Sequence, residues 1–190
     1  PLYVSRSRDE GQTWSAPEAV LALPGGPRDW LGLEPRLDHR GEIQLFLLRW
    51  GQPGTVTAGE GERVLVGQLL DTRLDIWHTR SHDGRRGWEP PRMIWKGYTG
   101  ALNSVLQTRR GRLLLPFSYL TRRNWANRGT GLDQWTFMGQ YDCAVVYSDD
   151  AGENWSLAES VRTPVPDIVS AYGAVEPVVI ERQDGRVWML

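Results

Sequence analysis

The apolar residues of this chain come in short runs broken by turn formers. Leu102–Thr108, Arg112–Leu120, Cys143–Ser148 and Trp155–Val161 each read as a strand of one unit. Between them stand Gly, Asp and Asn, the residues that tight hairpins need. No stretch keeps a helical apolar period over the length of a helix. The pattern predicts an all-β chain of antiparallel hairpins.

The hairpins repeat. Ser7-Arg8-Asp9-Glu10-Gly11-Gln12-Thr13-Trp14 spells S-x-D-x-G-x-T-W. Ser148-Asp149-Asp150-Ala151-Gly152-Glu153-Asn154-Trp155 spells it again, with Asn for Thr. Ser81-His82-Asp83-Gly84-Arg85-Arg86-Gly87-Trp88 is a degraded copy with its glycine displaced. The three tryptophans are 74 and 67 residues apart. A second motif interleaves with the first. Glu34-Pro35-Arg36-Leu37, Asn103-Ser104-Val105-Leu106 and Glu176-Pro177-Val178-Val179 each lead through a turn glycine into another apolar run. Those glycines, Gly41, Gly111 and Gly185, are 70 and 74 residues apart.

Two motifs on one period, with four strands per unit, predict a β-propeller. A chain of 190 residues holds about 2.7 such units, whereas propellers close with about four to eight blades. The chain is therefore expected to be a piece of one propeller domain about twice as long. Its expected parts are a partial blade over 1–32, blades over 33–100 and 101–171, and a partial blade over 172–190.

Composition narrows the function classes. Hydrophobic residues are 40% and charged residues 24%, which suits a folded domain and not a disordered one. Lys+Arg 22 against Asp+Glu 23 gives a net charge of -1, without the basic surplus of a general nucleic-acid binder. No apolar run approaches the roughly 20 residues of a membrane helix. One cysteine, Cys143, excludes an internal disulfide and a cysteine-based zinc site, and is expected to pack as a small apolar residue. Ten Trp with 21 Gly and 12 Pro agree with repeated hairpins.

The S-x-D-x-G-x-T-W motif resembles the Asp-box, or BNR repeat. Together with Gly111-Arg112-Leu113-Leu114-Leu115-Pro116 and Glu176-Pro177-Val178-Val179-Ile180-Glu181, it makes the whole chain resemble the sialidase (neuraminidase) superfamily, specifically bacterial BNR-repeat sialidase-like proteins. The resemblance implies a six-bladed propeller. It implies an exo-acting glycoside hydrolase that removes a terminal α-linked sialic acid, or a related acidic sugar, with retention. In that family the nucleophile is a tyrosine, an exception to the paired-carboxylate rule. A glutamate that matches Glu176 acts as its base. Three arginines hold the substrate carboxylate and an aspartate is the acid/base. By the same resemblance these groups fall before Pro1 or beyond Leu190, and the 190 residues alone are expected to be inactive. The implied partner is a carbohydrate, a sialoside or other acidic glycan, and the implied location is secreted or periplasmic. Two alternatives stay open: a non-catalytic carbohydrate-binding propeller, and a glycosidase or polysaccharide lyase of other specificity on the same fold.

Connectivity locates the site without the family. In an antiparallel blade the box turns share one face with the short turns at Gly41, Gly111 and Gly185. The opposite face receives the long connections Gly51–Arg63 and Thr121–Gln140 and the starts of the inner strands. Trp125, Trp135 and Phe137 suit a sugar-stacking lid there. Glu176, opening an inner strand at this face, is the expected catalytic residue. The expected substrate-binding residues are Glu34, at the equivalent place two units earlier, Asn103 in the middle unit, and Arg49 and Tyr119 at second-strand ends. Glu176, Glu34 and Asn103 each have a plainer reading as strand-start architecture.

Asp9, Asp83 and Asp150 read as turn caps rather than catalytic acids, with Trp14, Trp88 and Trp155 packing between sheets. Asp75 and Asp142, each six residues before a box serine, read as structural. Arg109, Arg110 and Arg112 read as a solvated edge. His39, His78 and His82 show no ligand spacing with carboxylates, so neither a metal nor a cofactor is expected.

Overall fold

A computed structural model describes residues 1–26, 29–51, 73–83, 87–121, 124–127, 135–138, 140–163 and 173–190. The described residues are all-β, without a helix. β1 (Leu2–Val4) and β2 (Glu18–Leu21) form a two-stranded sheet joined through the first box. β3 (Trp30–Leu37), β4 (Ile43–Gly51), β5 (Arg73–Ser81) and β6 (Arg92–Trp95) form a four-stranded antiparallel sheet in chain order. β7 (Leu106–Gln107), β8 (Leu113–Leu120), β11 (Tyr141–Ser148) and β12 (Ser156–Leu157) form the second. β9 (Asn124–Asn127) and β10 (Trp135–Met138) are a separate hairpin between β8 and β11. β13 (Val179–Glu181) and β14 (Val187–Met189) close the series as a last hairpin. Two full four-strand sheets flanked by two half-sheets match the predicted blade pattern; a closed propeller is not part of the observed architecture.

The outer strands are shorter than their sequence suggests. The first strand of the second full sheet is Leu106–Gln107 rather than Leu102–Thr108, and the fourth is Ser156–Leu157 with an added bridge between Cys143 and Val161. The third strand starts earlier, at Tyr141. The middle strands carry the long ladders because they are the ones buried on both faces.

Alternation along β4 and β8 builds the core. Phe46, Leu48 and Ile76 project from one full sheet onto Leu115, Phe117 and Val146 of the other. Trp155 closes this layer edge-on against Phe46, with ring centroids 5.3 Å apart. Trp95 closes it on Phe117 at 4.8 Å.

The two intact boxes are built alike. Ser7 Oγ donates to Asp9 Oδ1, and Ser148 Oγ to Asp150 Oδ1. Each serine oxygen accepts the N–H of the box glycine at 2.8 Å, and each aspartate accepts backbone and side chain of Thr13 or Asn154. Asp9 is held down to about 2, first by the Thr13 hydroxyl, and Asp150 to about 2, first by the Asn154 N–H. These acids are turn caps, as expected.

The short turns lie beside the boxes, also as expected. His82 meets Glu42 at 2.7 Å, and Arg112 forks onto Asp149 at 2.6 and 2.8 Å. Arg112 and Arg109 are therefore more than a solvated edge, for Arg109 bonds the Gln183 carbonyl at 2.9 Å and pairs with Glu181. Trp14 departs from its expected role. It stands 65% exposed, because no described sheet flanks β1–β2 on that side.

Candidate functional site

Glu176 precedes β13 in an unusual backbone. Its φ is +56°, the left-handed region, where a side chain costs about 1–2 kcal/mol. Pro177 follows and itself favours an extended predecessor. Both backbone groups of Glu176 are tied. Its N–H donates to Ser118 Oγ at 3.4 Å, and its carbonyl accepts from Asn103 Nδ2 at 3.3 Å. Its carboxylate stands exposed, with no hydrogen bond or ion pair among the described residues. The fold thus fixes the backbone of an acid whose carboxylate stands exposed.

The other expected residues divide. Asn103 joins Glu176 directly. Tyr119 does not face it. Side chains alternate along β8, so Tyr119 points away from the side of Ser118. Its ring packs on Trp95 and Phe117, and its hydroxyl pairs with Ser160 at 2.8 Å. Arg49 lies over the rings of Trp30 and Trp77 at 5.3 and 5.2 Å, opposite Trp30 and Asp75 in its sheet. Its Nε is buried without a partner.

Glu34 sits inside β3, opposite Phe46, rather than at a strand start. Burial alone raises its pKa. The turns give its true register. All three hairpins bond identically around their glycine, so positions count back from Gly41, Gly111 and Gly185. Glu34 then aligns with Ser104 and Val178. Glu176 aligns with Gly32, which shares its φ of +56° and lies in a β-bulge. The repeated Glu-Pro dipeptide is two places out of register.

This architecture has a solved counterpart. The fold is shared with a sialidase. The Hadza microbial sialidase Hz136 superposes with a TM-score of 0.50 at 18% identity, over 93% of this chain and 32% of that one. A protein of unknown function from Dyadobacter fermentans superposes with a TM-score of 0.46 at 19% identity, over 82% of this chain and 44% of that one. The chain spans less than half the length of either structure. No family model and no curated protein matches it in sequence.

Ser118 is the residue that sequence reasoning missed. Its signal was a lone small polar residue within the apolar run Leu113–Leu120. It lies directly opposite Cys143 on β11. The Cys143 thiol contacts the Ala174 carbonyl at 3.5 Å, and burial first, then Asp142, raises its pKa. Ser118 and Cys143 thus form the flank on which the segment before β13 rests.

Asp75 and Asp142 serve the fold. Asp75 accepts the Gly97 N–H at 3.0 Å, and Asp142 receives a two-pronged contact from Arg162 at 2.9 and 2.8 Å. Among the described residues no His, Cys, Asp and Glu group gathers with metal-site geometry. The Gly51–Arg63 connection beyond Gly51 lies outside the described residues, as do the side chains of Trp125, Trp135 and Phe137.

Proposed function

We propose that this chain forms part of a six-bladed, exo-acting glycoside hydrolase that releases a terminal sialic acid, or a related acidic sugar, with retention. The observation that carries the reading is Glu176: a strained, doubly anchored backbone beside Asn103, with a carboxylate unpaired among the described residues. A carboxylate held this way suits a general base. Its task is to draw the proton from a tyrosine, whose ordinary pKa of about 10 leaves it a poor nucleophile at neutral pH. A neutral nucleophile also avoids repulsion from an anionic sugar. Asn103 positions Glu176 and offers amide groups to sugar hydroxyls. The tyrosine, the arginines and the acid/base aspartate would come from outside the 190 residues.

The test is hydrolysis of a fluorogenic α-linked sialoside by a protein that carries this segment in a complete propeller. Glu176→Gln should lower kcat by about 10²–10⁴-fold, the usual worth of a general base, with an unchanged β-sheet circular dichroism spectrum. Unaltered turnover would remove Glu176 from the chemistry. Binding of acidic glycans by the wild type without cleavage would favour a carbohydrate-binding propeller instead.

A further inference from the structure

Two seams of this fold repeat one plan with different residues. The first lies between the two full sheets, and the second lies between the second full sheet and the segment that leads into β13. Counted from their turn glycines, Leu48 and Ser118 hold one position on the second strand of each full sheet. Their partners across the ladder are Ile76 and Cys143. Counted back from the next turn glycine, Leu102 meets the first seam where Glu176 meets the second. At the first seam the trio is apolar: Leu48 and Ile76 belong to the core, and Leu102 packs against it. At the second seam the trio is Ser118, Cys143 and Glu176. Packing alone is satisfied by leucine and isoleucine here. A rule kept at one seam and broken at the next points to function.

We propose that Ser118 is a positioning residue that fixes the Glu176 backbone, so that its carboxylate keeps one direction. The inference rests on the reading of Glu176 as a general base.

Ser118 is fully buried, where a hydroxyl is costly unless it is bonded. Its Oγ accepts the Glu176 N–H at 3.4 Å. Its own place is fixed from behind, for its carbonyl accepts the Gly100 N–H and the Thr99 hydroxyl, each at 2.9 Å. A Cβ on Gly100 would stand 2.6 Å from Ser118 Oγ, so glycine there leaves the hydroxyl its room. The same two strands lay down the chain before Glu176. Gly173 bridges to Tyr141, and a Cβ on it would stand 2.5 Å from the Tyr141 carbonyl oxygen. The Ala174 carbonyl meets the Cys143 thiol at 3.5 Å. Tyr141, Cys143 and Ser118 thus hold successive points of one strap, and Asn103 takes the Glu176 carbonyl at its end. Without Ser118, Glu176 would relax from φ +56° toward the extended backbone favoured before proline, and its side chain would swing with it.

The experiment uses the same complete propeller and the same sialoside. Ser118→Ala should lower kcat about fivefold, the worth of one hydrogen bond, and leave KM unchanged, because Ser118 acts through Glu176 and not on the substrate. In a Glu176→Gln background the same substitution should change neither constant. An intact kcat in Ser118→Ala, with Glu176→Gln impaired, would overturn this proposal and leave the base reading standing. Equal losses in both backgrounds would also overturn it, by making Ser118 a general support of the fold. Unaltered turnover in Glu176→Gln would overturn both readings. Should Ser118→Ala not fold, hydrogen exchange of the wild type decides. The Glu176 amide should exchange well below its free-peptide rate, and exchange at that rate contradicts the clamp.

Discussion

Glu176 is a single residue whose conformation and chemistry pull in opposite directions. A glycine would occupy φ +56° without the clash of a Cβ, as Gly32 does at the same register position. Glu176→Gly should therefore leave the melting temperature unchanged or raise it, while removing the activity proposed for the carboxylate. A clear loss of stability would mean that the side chain holds the fold together.

His78 is the other telling residue. It is fully buried, and its Nε2–H donates to Gln44 Oε1 at 2.8 Å while Nδ1 has no partner. Burial first, then Arg92 and Arg80, push its pKa down from 6.5 to about 3. The unfolded chain therefore takes up this proton more readily than the folded one. The stabilising effect is complete above pH 6.5 and is lost as pH falls toward 3. By about pH 4.5 the loss should be about 2–3 kcal/mol. Thermal melts from pH 7 to 4 should slope accordingly, and His78→Gln should flatten them.

At the scale of elements, the second box is a plug in the neighbouring sheet. Its Ala151 carbonyl accepts from Arg80 at 3.0 Å and from Gln44 at 3.4 Å, and its Gly152 carbonyl accepts from Arg92. Arg80 also pairs with Glu89 and Glu153. Arg80→Met should cost about 1–2 kcal/mol in urea unfolding, since it removes the shorter of the two bonds to the buried Ala151 carbonyl. An Arg80/Glu153 double-mutant cycle near zero would assign that loss to the carbonyl and not to the exposed ion pair. The hairpins and boxes were legible in the sequence because their bonds span only a few residues. Gln44 and Ala151 are 107 residues apart, and nothing local announces their contact. The candidate site was legible to the same extent. Glu176 and Asn103 stand out by their place before an inner strand. Tyr119 was misplaced because strand parity decides its direction. Glu34 was misaligned because a repeated dipeptide outweighed the count from the turn glycine.

At the scale of the whole molecule, the blade-like organisation followed from the period, and the pattern of half, full, full and half sheets followed from which turn each pair of strands flanks. The full sheets share one more device. The His39 N–H donates to Gln107 Oε1 at 2.7 Å, and the Arg109 N–H to Glu181 Oε2 at 2.8 Å. Gln107 and Glu181 hold the same register position, four residues before their turn glycine, and Leu37 holds it in the first full sheet. Leu37 is 64% exposed and offers no acceptor. The joint that Gln107 and Glu181 each make thus has no counterpart at Leu37. On warming, β1 and β2 should loosen before the sheets that these joints tie together, and their amides should be the first to exchange with solvent hydrogen.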